Sequence, residues 1–302
     1  MDLPLPPSLR KIDRRTFLAT GLLAVGGVAF YSGEIARHKI EVLEREVWLP
    51  HLPEAFDGLR MVQISDLHMD EYTEESFLRH VVERINQLKP DVVALTGDFV
   101  STGPLGRKYA VGAAWRCAEI LASLQCPQKF AVLGNHDVNT HPREVTHALS
   151  SHGIPVLNNS HVALERGQRR LWIAGMIDPS DGRPRPELAI PASIRLQPEE
   201  PVILLCHAPD FADQLLARPV GQAVSLMLSG HTHGGQIRVP MFGPLVLPPG
   251  GRKYVHGLFS LGAMQLYVNR GIGAVGLPFR FDCPPEITVM TLRRGAGLGT
   301  RG

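Results

Sequence analysis

One pattern constrains this 302-residue chain more than any other. Five times, a run of apolar residues ends in polar side chains able to hold a metal ion. The runs end at Asp66-Leu67-His68, Gly97-Asp98, Gly134-Asn135-His136-Asp137, Cys206-His207 and Gly230-His231-Thr232-His233-Gly234-Gly235. A short apolar run bounded by glycine reads as a buried strand. Glycine then permits the sharp turn that throws the next side chains out at the strand's end. Gly, Asn and Asp are ordinary turn residues as well, so a single such junction is only a polar turn. Five in one chain are not explained that way.

The segments between the junctions give the architecture. Ile40 to Leu49, Leu59 to Ile64, Asp91 to Thr96 and Lys129 to Leu133 read as strands in the first half. Phe77, Leu78, Val81, Val82, Ile85 and Leu88 fall at helical spacing, with Glu74 and Glu75 in the first turn and Pro90 as the stop. A second helix is predicted from about Tyr109 to Leu124, and a third opens at Pro142 and closes at Gly153. Leu171 to Met176, Val202 to Cys206 and Val224 to Leu228 are further strands, the first two separated by a proline-rich stretch, 179–201. Tyr254 to Phe259 and Met264 to Asn269 predict a hairpin. Glu286 to Leu292 is the last strand, and the Gly/Arg-rich tail from Arg293 to 302 reads as loose. Strands alternating with helices predict an α/β layered core, with a domain over residues 40–292.

Residues 1–39 read as a separate unit. Arg14-Arg15 precedes an uncharged, mostly apolar run from Phe17 to Tyr31, the order of an export signal. The paired arginines followed by Phe17-Leu18 resemble the twin-arginine signal, which implies export machinery as a partner and an extracytoplasmic catalytic domain. Fifteen residues fall short of the ~20 needed for a comfortable span. With no good cleavage site after the run, a retained membrane anchor is the other expectation. Arg10, Lys11, Arg14 and Arg15 before the run favour a cytoplasmic N-terminus. Outside this segment the chain has 25 basic and 26 acidic residues, so it lacks the basic excess of a general nucleic-acid binder. The cysteines at 117, 126, 206 and 283 form no CxxC pair. Cys206 is expected to pack away from His207.

The candidate ligands are Asp66, His68, Asp98, Asn135, His207, His231 and His233. Asp66 and His68 are two apart, as are His231 and His233, so an extended backbone would turn each pair to one face. Two carboxylates, one amide and four imidazoles are too many for one divalent ion and suit two ions sharing a carboxylate. Oxygen mixed with imidazole, without thiolate, points to Mn, Fe or Zn. Ions roughly 3.5–4 Å apart suit in-line displacement at phosphorus. His136 is left to protonate the leaving alkoxide or to stabilise the charged transition state, and Asp137 to fix its tautomer. Arg238 and Arg270 are candidates to meet substrate phosphate, and Asp178 is either a cleft residue or a turn acid.

In this order and spacing the motifs resemble the calcineurin-like metallophosphoesterase superfamily, over about residues 54–292. Gly230 to Gln236 with Arg238-Val239-Pro240, Asn269-Arg270-Gly271-Ile272-Gly273 and Pro285-Glu286-Ile287-Thr288 resemble its exported, phosphodiesterase-like subfamily. The resemblance implies a four-layer α/β sandwich, two mixed sheets flanked by helices. It implies one metal on Asp66, His68, Asp98 and His233 and another on Asp98, Asn135, His207 and His231, with Asp98 bridging and His136 as acid. The activity implied is hydrolysis of phosphate esters, diesters first, by a metal-bridging hydroxide. Two other readings stay open: a pyrophosphate hydrolase of nucleotide-linked lipid precursors such as UDP-diacylglucosamine, and a fold that binds metal without turnover.

Overall fold

Two sheets face each other, and the seam between them carries the site. The computed structural model describes residues 14–69, 72–103, 106–181, 183–197 and 199–295. Arg10 and Lys11, and all of the tail beyond 295, lie outside the described residues.

The first sheet contains β1 (Glu41–Leu49), β2 (Arg60–Ile64), β3 (Val92–Leu95), β4 (Gln128–Ala131) and the last strand, β13 (Glu286–Arg294), in the order β1-β13-β2-β3-β4. Only the β13–β2 pairing is antiparallel. The second contains β5 (Ser160–Arg166), β6 (Arg169–Gly175), β7 (Val202–Leu205), β8 (Val224–Ser229) and the hairpin β11 (Gly257–Leu261) and β12 (Met264–Val268), in the order β11-β12-β8-β7-β6-β5. A small ribbon, β9 (Arg238–Val239) with β10 (Gly243–Pro244), lies between β8 and the hairpin in sequence.

Side-chain alternation explains the layering. In β2 and β3, Val62, Ile64, Val93 and Leu95 face outward and pack on α2 (Glu75–Leu88) and α3 (Gly106–Ala122) through Leu78, Val81, Ile85 and Leu121. Met61, Val92 and Ala94 face inward and meet Ile203, Leu205, Leu226 and Leu228 of the second sheet. A strand apolar on both faces must be covered on both. On the far side, Leu204, Met227 and Leu266 are covered by Phe211 and Leu215 of α8 (Phe211–Leu216) and by the α6 (Pro186–Ala189) and α7 (Ala192–Arg195) segment. The result is the expected four-layer sandwich. Buried Gln63 ties the sheets together, its amide donating to Thr96 Oγ1 at 3.0 Å and to the Ser229 carbonyl at 2.9 Å.

Several expectations shift. β5 was not anticipated, because it carries only one buried residue. β13 continues through Arg293 and Arg294, which pair with Trp48 and Leu49, so the chain is still ordered where a loose tail was expected. α5 (Pro142–Ser151) does open on Pro142, with α4 (Asn135–Thr140) ahead of it. The four cysteines are free and buried, Cys206 within the outer core of the second sheet.

The N-terminal helix is longer than the apolar run alone suggests. α1 (Arg14–Phe30) continues through a π turn and a 3-10 turn to His38, giving 25 helical residues that include an 18-residue window of mean hydropathy 1.4. That is long and apolar enough to cross a membrane by length and composition. Its last turns are fixed to the domain: the Arg280 amide donates to the Ser32 carbonyl at 3.0 Å, and Arg37 pairs with Glu74 at 2.6 Å.

Candidate metal centre

All seven expected ligands lie just beyond the C-terminal end of a strand. Asp66 and His68 follow β2, Asp98 follows β3, Asn135 opens α4 after β4, His207 follows β7, and His231 and His233 follow β8. The backbone there is not extended, which corrects the same-face argument for the paired ligands. Asp66, His68, Asp98, His231 and His233 have φ of 54°, 47°, 56°, 74° and 51°. Left-handed conformations are sterically disfavoured for such residues and persist only where the surroundings enforce them. Two glycines make room for the turns. A Cβ on Gly134 would collide with the Asp98 carboxylate, and one on Gly230 with Ser65 Oγ and Asp66.

The ligands gather into two sets, Asp66, His68 and His233, and Asp98, His207 and His231, each with its ligand atoms within 4.8 Å of one another. In the first, His233 Nε2 lies 3.1 Å from His68 Nε2 and 3.3 Å from Asp66 Oδ1. In the second, His207 Nε2 lies 3.0 Å from Asp98 Oδ2 and 3.2 Å from Asn135 Oδ1, which brings Asn135 to the set. Asp98 Oδ2 is also 3.8 Å from His68 Nε2, so this carboxylate stands between the sets.

Outer contacts commit the other ring nitrogens. His207 Nδ1 donates to the Thr96 carbonyl at 2.6 Å and His231 Nε2 to the Pro249 carbonyl at 2.8 Å. His68 Nδ1 meets Ser101 Oγ at 2.8 Å. A ligand histidine held this way has its tautomer and orientation fixed before metal arrives. Burial holds the pKa of His68 and His233 well below the usual value, outweighing the Asp98 charge at His68 and reinforced by Arg280 at His233. Burial acts on His207 the same way, but Asp98 overrides it and raises the pKa well above the usual value. Asp98 is held well below the carboxylate range, its own burial outweighed by His207, His136 and His68. Two buried, inward-turned sets of imidazole and carboxylate, with like acceptors this close, fit divalent cations.

Asp137 corrects an expectation. It does not orient His136; its carboxylate accepts from the backbone amides of Asp98, Phe99, Val100 and Gly134 at 2.8–3.1 Å. It is a clamp on two ligand-bearing loops. Burial and the Asp98 charge push its pKa up to about 8, while the four amide donors favour the ionised form. His136 is oriented by Thr102 instead, whose backbone amide donates to Nδ1 at 2.9 Å.

The candidate phosphate-binding arginines are engaged elsewhere. Arg270 pairs with Glu286 at 2.5 Å and Glu41 at 2.6 Å, and Arg238 donates to the Gly234 carbonyl at 2.9 Å. Asp178 accepts from the Ser180 amide at 2.8 Å, as a turn acid does, and lines a separate cavity. Sequence reasoning missed Arg280, a wholly buried guanidinium 3.3 Å from His233 Nδ1 that also donates to carbonyls of residues 270, 273 and 283. No local motif marks it. The sets open into a cleft of about 380 Å³ that Asp98, Asn135, His136, His231 and His233 share with Ile237, Leu245, Val246, Val275 and Leu277.

A sandwich with two metal-binding sites at the seam of its sheets defines a metal-dependent hydrolase scaffold. The chain belongs to the calcineurin-like phosphoesterases: the model of that family matches residues 59–235. It is 35% identical over 295 residues to an uncharacterised metallophosphoesterase of Bacillus subtilis, YkuE, covering 94% of this chain and 99% of that one. It is 31% identical to the phosphodiesterase YaeI of Escherichia coli, covering 77% and 82%. It is 30% identical to the UDP-2,3-diacylglucosamine pyrophosphatase LpxG of Chlamydia muridarum, covering 79% and 86%. The protein is a hydrolase of this family, in which a dinuclear metal centre is the rule.

Proposed function

We propose that the chain hydrolyses phosphodiesters, with Asp66, His68, Asp98 and His233 holding one divalent ion and Asp98, Asn135, His207 and His231 the other. Mn, Fe or Zn bound there would supply Lewis acidity and lower the pKa of water. Water adds to phosphorus, one P–O ester bond breaks, and the leaving alkoxide takes a proton. The observation that carries the assignment is the orientation of His136. With Nδ1 accepting from Thr102, the neutral ring carries its proton on Nε2, and His136 lines the cleft beside both ligand sets. Proton donation from Nε2 completes the step. Asp137 keeps the Asp98 and Gly134 loops in register around it.

The test compares metal-loaded protein on bis(4-nitrophenyl) phosphate, 4-nitrophenyl phosphate and a nucleoside diphosphate ester. The diester is hydrolysed fastest, chelation abolishes turnover, and added metal restores it. Faster cleavage of the pyrophosphate bond would establish the second reading instead, which the similarity to LpxG favours. The place of action is part of the proposal. Arg14 and Arg15 open α1, and twin-arginine export would put the domain on the outer face of the membrane, anchored or released. Replacing both with Lys then leaves an active enzyme inside. A domain protected from protease in spheroplasts of both strains would overturn this.

A further inference from the structure

The mouth of the cleft differs in kind from its floor. The floor is imidazole and carboxylate; the wall opposite is Ile237, Leu245, Val246, Val275 and Leu277. The chain from Val239 to Gly251 carries no charged side chain. At its tip Met241 is fully exposed and Phe242 82% exposed, with Val246 78% and Leu245 61% exposed behind them. A soluble surface rarely gathers that much apolar area in one place. The wall is nevertheless held in position. Gln236 donates from Nε2 to the carbonyls of Val275 and Leu277, at 3.1 and 3.0 Å, and accepts from the Val275 amide at 2.9 Å. The Leu245 amide donates to the Ile237 carbonyl at 3.0 Å.

The apolar surface then runs on to the N-terminal helix. Ile237 also borders a second groove of about 490 Å³, walled by Val239, Phe279 and Phe281 on the domain and by Val25 and Val28 of α1. α1 with its continuation to His38 is the helix of membrane-crossing length, its outer side chains largely exposed, Leu22 at 74% and Leu23 at 77%. The Arg280–Ser32 and Arg37–Glu74 contacts fix its base to the domain. With α1 in a bilayer, the uncharged loop is carried to the membrane surface beside it.

We propose that the Val239–Gly251 loop inserts into the bilayer interface next to α1, and that the metal centre takes a membrane lipid with a phosphoester headgroup, its hydrocarbon chain lying along Ile237, Leu245, Val246 and Leu277. This rests on the phosphoesterase reading and names its substrate class. The headgroup meets the polar floor while the chain never leaves an apolar environment, so extraction into water costs little.

The test uses the metal-loaded full chain reconstituted in phosphatidylcholine vesicles doped with phosphatidylglycerol. Hydrolysis of phosphatidylglycerol is compared with that of water-soluble bis(4-nitrophenyl) phosphate. Met241 and Phe242 do not line the cleft, so the double variant Met241→Asp, Phe242→Asp keeps the wild-type rate on the soluble ester, which also reports folding. Its rate on the lipid falls roughly 10-fold or more, the loss from keeping two large apolar side chains out of the bilayer. An unchanged lipid rate in the variant, or wild-type activity confined to the soluble ester, overturns the proposal. Absence of turnover on either substrate by metal-loaded wild type overturns the phosphodiesterase reading beneath it.

Discussion

Each ligand set joins one carboxylate to two imidazoles, yet the imidazoles rest in different electrostatic states. His68 and His233 are held toward neutrality by burial, so their set is already in the form that receives a cation. In the other set the contrast rests on His207 alone: Asp98, 3.0 Å away, raises its pKa well above the usual value, while burial lowers that of His231. The difference follows from one carboxylate, because Asp98 leans on His207 and stands 0.8 Å farther from His68, at 3.8 Å. The same carboxylate–imidazole core therefore does not give identical sites.

Removing Asp98 should erase the contrast altogether. Asp98→Ala is expected to lose both metals and, with them, several kcal/mol of transition-state stabilisation, a fall in kcat of roughly 10³–10⁴-fold. Metal content by mass spectrometry and rate on the same sample check it. One set retaining its metal in full would show that Asp98 does not serve both.

His136→Ala should leave the contrast intact while removing the chemistry. Two metals stay bound and turnover falls about 10²–10⁴-fold, the range for a proton donor. Loss of metal with an unchanged rate per bound ion would assign His136 to coordination instead.

Acid should sharpen the contrast. A ring whose pKa is raised must shed a proton to bind metal, whereas a ring whose pKa is lowered is already deprotonated. As pH falls, the His207 set should lose its ion first and the His68 set later, seen as two steps in metal release. A single step would mean the sets load as one unit. The smallest effect is expected from Thr102→Val, which removes the hydroxyl 2.9 Å from His136 Nδ1 but keeps the amide. The rate should drop about 2–10-fold, one modest hydrogen bond, with both metals in place. A larger drop, or lost metal, would give the hydroxyl a role beyond orienting the ring.

Much of this was legible from residue order. Ligand identities could be read because each follows an apolar strand, and strand and ligand lie side by side in sequence. Their geometry could not. Asp66 and His68 converge through left-handed backbone rather than an extended face, which spacing alone does not reveal. Asp137 looked like a partner for its neighbour His136, but its oxygens are claimed by amides at 98–100, nearly forty residues away. Arg280 reaches His233 across 47 residues with no motif around it. β5 was invisible because its side chains are mostly half-exposed and only pairing with β6 makes it a strand. Long-range partnership, rather than residue chemistry, is what the linear chain conceals.

Each ligand set takes residues from both sheets: Asp66 and His68 from the first with His233 from the second, and Asp98 and Asn135 from the first with His207 and His231 from the second. A bound ion is therefore a cross-link. It closes a loop of 165 residues between His68 and His233, and a covalent link of that span would remove about 5 kcal/mol of chain entropy from the unfolded state in the loop-closure model. Stripping the ions should release that constraint on the whole sandwich, so that the melting temperature tracks free metal concentration rather than any property of the cores alone.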